Sequence, residues 1–133
     1  MKMHIFRLTK GNDLLNSIKS FCEQNNILAG TILSSVGCVY HAKIRDAGGK
    51  AIIEINEPLE IISLNGTVSK HRCHLHISFA KTDLSVVGGH LVEGCLINTT
   101  CEIILLELDD YKFSKEFDKA TGYNELKISR KTH

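Results

Sequence analysis

The sequence has a single proline, no tryptophan and almost no charge imbalance. Lysine and arginine total 16 against 15 aspartate and glutamate, so the net charge of +1 exerts no global attraction on nucleic acid or on an anionic membrane. No apolar run approaches the roughly 18 residues of a membrane span. Charged and polar side chains also interrupt the N-terminal residues before a run of signal-peptide length can form. We therefore expect a protein without a membrane partner and without the polycationic surface of a DNA-coating protein.

The cysteines lack the spacing of a metal-binding or redox motif. The sequence contains no C-x-x-C, and the five cysteines are widely separated. This spacing excludes a zinc ribbon and a thioredoxin-type redox pair. An odd, scattered set is typical of reduced thiols that pack as small apolar residues in a cytosolic protein. We therefore predict a cytoplasmic location.

The length of 133 residues and the hydrophobic content of 43% predict one domain, residues 1–133, with a buried core. One helix is expected after Asp13, because Asp13 is an N-cap candidate and the apolar residues from Leu14 to Cys22 recur at helical spacing. The other segments read as short strands: 3–8, 29–36, 39–45, 51–55, 59–68, 73–80, 86–91 and 100–108. Many strands after one helix predict an α+β fold with a mixed, mostly antiparallel sheet.

Three positions along the chain carry more specific expectations. Gly37 lies between two of these segments and is expected to separate them into two strands. Residues 103–106 are apolar at every position, which predicts a strand covered on both faces, by the helix or by another subunit. Residues 127–133 are rich in basic side chains and are expected to form a flexible tail.

The most informative segment, residues 70–80, contains an H-x-H pair. On a strand, successive side chains point to opposite faces, so His74 and His76 share one face while Leu75 and Ile77 occupy the other. Two imidazoles on one face can reach a single ion through neutral ring nitrogens. The pair is therefore a candidate metal site, and the alternative is an ordinary polar strand face.

A third histidine, His90, directly follows Gly88 and Gly89. The loop at 81–85 is long enough for the chain to return beside the H-x-H strand, and paired glycines allow two backbones to approach closely. A site with three histidines and one open position is the arrangement of catalytic zinc, whereas structural zinc usually has four protein ligands rich in cysteine. We predict that His74, His76 and His90 bind a divalent metal, zinc.

Two glutamates are candidates for proton transfer at such a site. Glu93 follows His90 by three residues, and Glu60 is the second residue of the predicted strand 59–68. Either carboxylate could orient a ligand histidine or act as a general base on a metal-bound water. The alternative for each is a solvated carboxylate at a strand end.

A series of segments, taken in order, resembles the plants and prokaryotes conserved (PPC) domain. They are GNDLL at 11–15, SSVG at 34–37, LEIISLNGTVS at 59–69, HLHI at 74–77, VGGHL at 87–91, TTCEI at 99–103 and TGYNEL at 121–126. The resemblance implies a small α+β domain that assembles as a homotrimer. It also implies similarity in fold to the acetolactate decarboxylase group, in which an H-x-H pair and a later histidine bind zinc. That arrangement corresponds here to His74, His76 and His90.

Three functions follow from these observations as hypotheses. The first is a trimeric, metal-binding regulatory module, and the second is a metal-dependent enzyme that acts on a small oxo or carboxylate substrate. The third is association with DNA, which the resemblance implies because plant members carry an Arg-Gly-Arg-Pro element ahead of the domain. The present sequence contains no such element.

Overall fold

The structure is a computed structural model and describes residues 1–132. Its elements are β1 (Lys2–Thr9), α1 (Leu14–Gln24), β2 (Gly30–Arg45), β3 (Ile52–Ile55), β4 (Leu59–Val68), β5 (Cys73–Ala80), β6 (Val86–Leu91), β7 (Leu96–Glu107), β8 (Tyr111–Asp118) and β9 (Tyr123–Arg130). A single small domain with one helix and an antiparallel sheet confirms the predicted α+β class. The sheet is not mixed, because every strand pairing within these residues is antiparallel.

Helix α1 begins where the sequence predicts. The Asp13 side chain caps it by accepting a hydrogen bond from the Asn16 backbone N–H at 3.0 Å. Its second carboxylate oxygen accepts from the Gly94 N–H at 2.7 Å, which fixes the helix start to the turn before β7. Leu14 and Ile18 are fully buried, so the apolar stripe of the helix faces the core.

Seven strands form one sheet in the order β1-β7-β2-β4-β5-β6, with β3 paired to β2. Strand β6 also returns to the end of β2, where Ile44 lies opposite Leu91 and Arg45 lies opposite His90. As a result, β2, β4, β5 and β6 close into a ring. This closure brings the end of β2, the middle of β5 and the end of β6 next to one another.

The prediction that Gly37 ends a strand is wrong. Strand β2 runs through it without a break, and a register shift beside Gly37 marks a bulge. A Cβ at this position would lie 2.5 Å from the Thr100 carbonyl oxygen. Glycine is therefore needed for the close approach of β2 to β7. Strand β7 also begins at Leu96, earlier than predicted.

A hairpin, β8–β9, follows the main sheet and was not predicted from the sequence. Tyr111 pairs with Arg130 at its open end and Asp118 with Tyr123 at its turn. Residues 127–130 belong to β9, so the prediction of a flexible tail is wrong for them because their backbones pair with β8. His133, the end of that predicted tail, lies outside the described residues.

The sheet has one covered and one open face. Helix α1 covers the first, where the rings of Phe6 and Phe21 stack with centroids 4.0 Å apart. The opposite face carries side chains between 55% and 75% exposed: Met3, Ile5, Leu33, Val36 and Ile62. Ile104 and Leu106 belong to β7, which lies between β1 and β2, and their side chains are half-buried. Only the helix side of residues 103–106 is therefore covered within this chain. In the part of the chain that the structure describes, no helix is both long and apolar enough to cross a membrane.

Candidate metal centre

The H-x-H pair lies on β5 as the alternating pattern predicts. Leu75 and Ile77 are buried toward the core, while His74 and His76 project from the other face of the strand. Strand β4 runs alongside, with Thr67 opposite His74 and Asn65 opposite His76. The two imidazole centroids are 5.4 Å apart, so both rings face the same space.

The two glycines before His90 allow β6 to reach this position. A Cβ on Gly88 would lie 2.6 Å from the Ile77 carbonyl oxygen, and a Cβ on Gly89 would lie 2.6 Å from the Arg45 carbonyl oxygen. These distances are shorter than any real Cβ contact with a backbone atom. Gly88 thus permits the approach of β6 to β5, as the sequence pattern suggested, and Gly89 permits an approach of β6 to β2 that was not predicted.

A single row of side chains crosses three strand pairings at this point. Arg45 on β2 pairs with His90 on β6, His90 pairs with His76 on β5, and His76 pairs with Asn65 on β4. Residues directly opposite each other in antiparallel strands place their side chains on the same face, with Cβ atoms about 4.5–5.5 Å apart. The row therefore brings one guanidinium, two imidazoles and one amide to a common surface, beside His74.

The three histidines fit a metal ion. One ring nitrogen from each lies within 4.8 Å of the others. A tetrahedral zinc with nitrogen ligands at about 2.0–2.1 Å needs these atoms about 3.4 Å apart, so the rings would have to move closer together to bind it. Nδ1 of His90 is buried and has no hydrogen-bond partner within residues 1–132, so the site contains an orphaned acceptor or donor. No fourth histidine, cysteine or carboxylate joins the described cluster, which leaves a coordination position open.

The electrostatics of the cluster favour neutral imidazoles. Desolvation, reinforced by the positive charge of Arg45, lowers the pKa of His90 to about 4. Desolvation and the positive charge of Arg72 also lower the pKa of His74. Both rings are therefore neutral at pH 7, the form in which histidine ligates a metal.

Two arginines and the β8–β9 hairpin complete the surroundings, and sequence reasoning did not assign them to the site. A cleft of about 360 Å³ is lined by the two arginines, two histidines of the cluster and the start of β9: Arg45, Arg72, Cys73, His74, His90, Tyr123, Asn124 and Glu125. A second cleft of about 480 Å³ lies on the other side of His90 and includes Ser63, Asn65, His76 and Ser78. The H-x-H pair and His90 thus stand between two open clefts.

The two candidate proton-transfer residues lie elsewhere. The Glu93 carboxylate accepts a hydrogen bond from the Asn16 side-chain amide at 2.9 Å, on the helix side of the fold. Glu60 is exposed and lines a separate cleft with Cys38 and Lys81. Neither lines the clefts around the histidines, whose carboxylates are Asp46 in the larger cleft and Glu125 in the smaller one.

Residues 1–109 match the model of the Plants and Prokaryotes Conserved domain, abbreviated PCC as well as PPC. The chain belongs to this family. The resemblance to the PPC domain seen in the sequence is thereby confirmed, and the match ends before the β8–β9 hairpin. A curated relative, the bifunctional protein GlmU from Synechococcus sp. strain JA-3-3Ab, is 38% identical over 98% of this chain. The chain spans only about a fifth of that relative's length, since the aligned part is 21% of it.

Solved structures share the whole architecture of this PPC domain. A hypothetical protein from Salmonella enterica is 31% identical, with 98% of this chain and 95% of that chain covered and a TM-score of 0.96. The protein AF0104 from Archaeoglobus fulgidus, described as metal-containing, is 34% identical, with 94% and 92% covered and a TM-score of 0.76. A Bacteroides thetaiotaomicron protein proposed to bind DNA is 23% identical, with 94% and 91% covered and a TM-score of 0.83, and this likeness shows the fold alone.

Proposed function

We propose that this PPC domain binds one divalent metal ion, zinc, through His74, His76 and His90. The observation that carries the proposal is the convergence of three ring nitrogens within 4.8 Å from two strands. Imidazole suits zinc and neighbouring first-row metals, and three nitrogen ligands with an open fourth position are typical of zinc that contacts a further ligand. The metal-containing relative from A. fulgidus, at 34% identity, supports a metal in this fold.

Zinc titrated into metal-free protein at pH 7.5 is expected to bind at one ion per chain. The affinity is expected to fall as the pH decreases, because protonation of His74 and of His90, whose pKa is about 4, removes ligands. Calorimetric titration over a pH series measures both quantities. Absence of stoichiometric binding at pH 7.5 would exclude the site.

The open apolar face of the sheet supports self-association. Met3 and Ile5 on β1, Leu33 and Val36 on β2, and Ile62 on β4 expose apolar side chains on the face opposite helix α1. An apolar patch of this kind marks an interaction surface on a water-soluble domain. We propose that copies of this chain cover it in a homotrimer, the assembly that the family resemblance implies.

The free cysteines are consistent with a reducing compartment, and we propose that the protein is located in the cytoplasm.

Light scattering of the purified protein is expected to give three times the chain mass of 14.8 kDa. The variant Ile5→Asp places a charge on the apolar face, on the edge strand β1, and is expected to shift the mass to that of one chain. Ile52→Asp, at a similarly exposed isoleucine on β3, serves as the matched control and should remain trimeric. A single-chain mass for the unmodified protein would contradict the assembly.

A metal-dependent enzyme acting on a small oxo or carboxylate substrate is the second candidate. The two clefts that flank the histidines favour it, because their volumes of about 480 and 360 Å³ suit a small molecule.

Association with DNA has a different basis, namely the family resemblance. The net charge of +1 weighs against binding through many phosphate contacts.

A further inference from the structure

Two guanidinium groups face the histidine cluster without an acidic partner. We propose that Arg45 and Arg72 form an oxyanion-binding site beside the metal, for a small ligand that carries a carboxylate or phosphate group. The proposal rests on the metal site of the proposed function and adds the chemistry of the ligand that fills the open coordination position. It also gives the β8–β9 hairpin a role as the outer wall of that site.

Arg45 is placed by the sheet and lacks a counterion. It stands opposite His90 in the β2–β6 pairing, so its side chain rises on the same face as the imidazole. Its Nε atom is buried and has no hydrogen-bond partner among residues 1–132. No carboxylate of the described chain lies within ion-pair distance of its guanidinium either. A buried donor on a charged group costs free energy unless a ligand or water satisfies it.

Arg72 approaches the same cleft from the turn before β5. The turn is held by Ser69, whose backbone N–H donates to the Arg72 carbonyl at 2.8 Å and whose hydroxyl accepts from the Arg72 N–H at 3.2 Å. One guanidinium nitrogen of Arg72 donates to the Asn124 carbonyl at 3.1 Å, which joins the turn to the hairpin. A guanidinium has five N–H donors, so most of those on Arg72 remain available.

The charges around the cleft sum to a positive site. Arg45 and Arg72 are opposed there by one carboxylate, Glu125, which forms no ion pair with either in the described structure. Asp46 lines the neighbouring cleft, but its Oδ1 accepts the N–H groups of Lys50 and Ala51 and closes its own turn. A bound divalent metal would add two further positive charges. The net excess favours an anionic ligand over a neutral or cationic one.

The geometry of the groups selects the ligand chemistry. The planar fork of arginine matches the two oxygens of a carboxylate or phosphate, and a divalent metal accepts an oxygen from the same group or its neighbour. The cleft of about 360 Å³ is closed on one side by Tyr123 and Asn124 of β9. Its volume is that of a site for a small molecule. The family model ends at residue 109, so the hairpin wall is supplied by residues outside it.

The test uses acetate and methylphosphonate as probes of the two oxyanion types. Each is titrated into zinc-loaded and into metal-free protein, and binding is followed by amide chemical shifts, which also show that each variant is folded. At least one probe is expected to bind saturably, with the largest shifts on β5, β6 and the start of β9. The tighter of the two identifies a carboxylate or a phosphate ligand.

Arg72→Gln and Arg45→Gln are each expected to raise the dissociation constant of the bound probe by at least about tenfold, while zinc content stays unchanged. Arg130→Gln, at the open end of the same hairpin, is the control and should bind as the unmodified protein does. Equal affinity in the unmodified protein and both site variants overturns the proposal, as does binding of neither probe. Failure of zinc to bind refutes the metal site instead, and probe binding to metal-free protein that is lost in the arginine variants still supports the oxyanion site.

Discussion

Replacing His76 by alanine is expected to weaken zinc binding by more than about 100-fold. Loss of groups that merely orient a ligand costs about 10–100-fold in metal affinity, and loss of one of three ligands exceeds that. The His76 side chain is exposed and makes no hydrogen bond in the described structure, so its removal leaves the core intact. The free energy of unfolding of the metal-free protein is expected to change by no more than about 0.5 kcal/mol.

Competition with a chelator of known affinity measures the zinc dissociation constant of each protein. His71→Ala is the matched control, because His71 is an exposed histidine on the turn preceding β5 and does not join the cluster. It should bind zinc as the unmodified protein does. Equal zinc affinity in His76→Ala and His71→Ala would show that the metal is held elsewhere.

Replacing Gly89 by alanine is expected to disturb both the fold and the site. The new Cβ would lie 2.6 Å from the Arg45 carbonyl oxygen and 3.6 Å from the Ile44 Cβ. A backbone oxygen cannot move aside as a flexible side chain can, so β6 must shift away from β2. Overpacking of this kind costs about 1–3 kcal/mol in the free energy of unfolding. Because His90 follows directly, zinc affinity is expected to fall by at least about tenfold.

Chemical denaturation and the same chelator competition measure these two effects. Gly48→Ala is the control, since the nearest atoms to its added Cβ are the Asp46 carboxylate oxygens at 3.8 and 3.9 Å. It should alter the free energy of unfolding by no more than about 0.5 kcal/mol. Wild-type stability and zinc affinity in Gly89→Ala would contradict the close approach of β6 to β2.

The residues that could be found from the sequence are those whose role depends on local spacing. Short β-type segments between turn residues, with period-2 alternation in β5, predict β4, β5 and β6 with the bounds that the structure shows. The same period places His74 and His76 on one face, and the double glycine marks the return of His90. These inferences need only a strand and its neighbour along the chain.

Arg45 could not be found in this way, because its position depends on a long-range pairing. It meets His90 only through the closure of β6 onto the end of β2, and no local pattern encodes that register. Arg72 depends on a turn whose outer contact, Asn124, lies 52 residues further along. Charge alone does not distinguish these two arginines from the others.

The hairpin was missed because its strands are largely exposed and polar. Weak signals were present, since Tyr111, Phe113 and Phe117 alternate with polar residues and a glycine, Gly122, stands between the two segments. In the structure this glycine adopts a positive φ of 78° in the connecting turn. The basic residues at 127–131 outweighed them in the prediction of a flexible tail. Pairing with β8 accounts for the order of this segment in the structure.

Anomalous diffraction from crystals of the zinc-loaded protein, recorded on both sides of the zinc absorption edge, tests the central claim most directly. The account predicts one zinc peak per chain, about 2.0–2.1 Å from a ring nitrogen of each of His74, His76 and His90, with its open side toward Arg45 and Arg72. A zinc peak at other residues, or none at these histidines in protein that carries stoichiometric zinc, would contradict it.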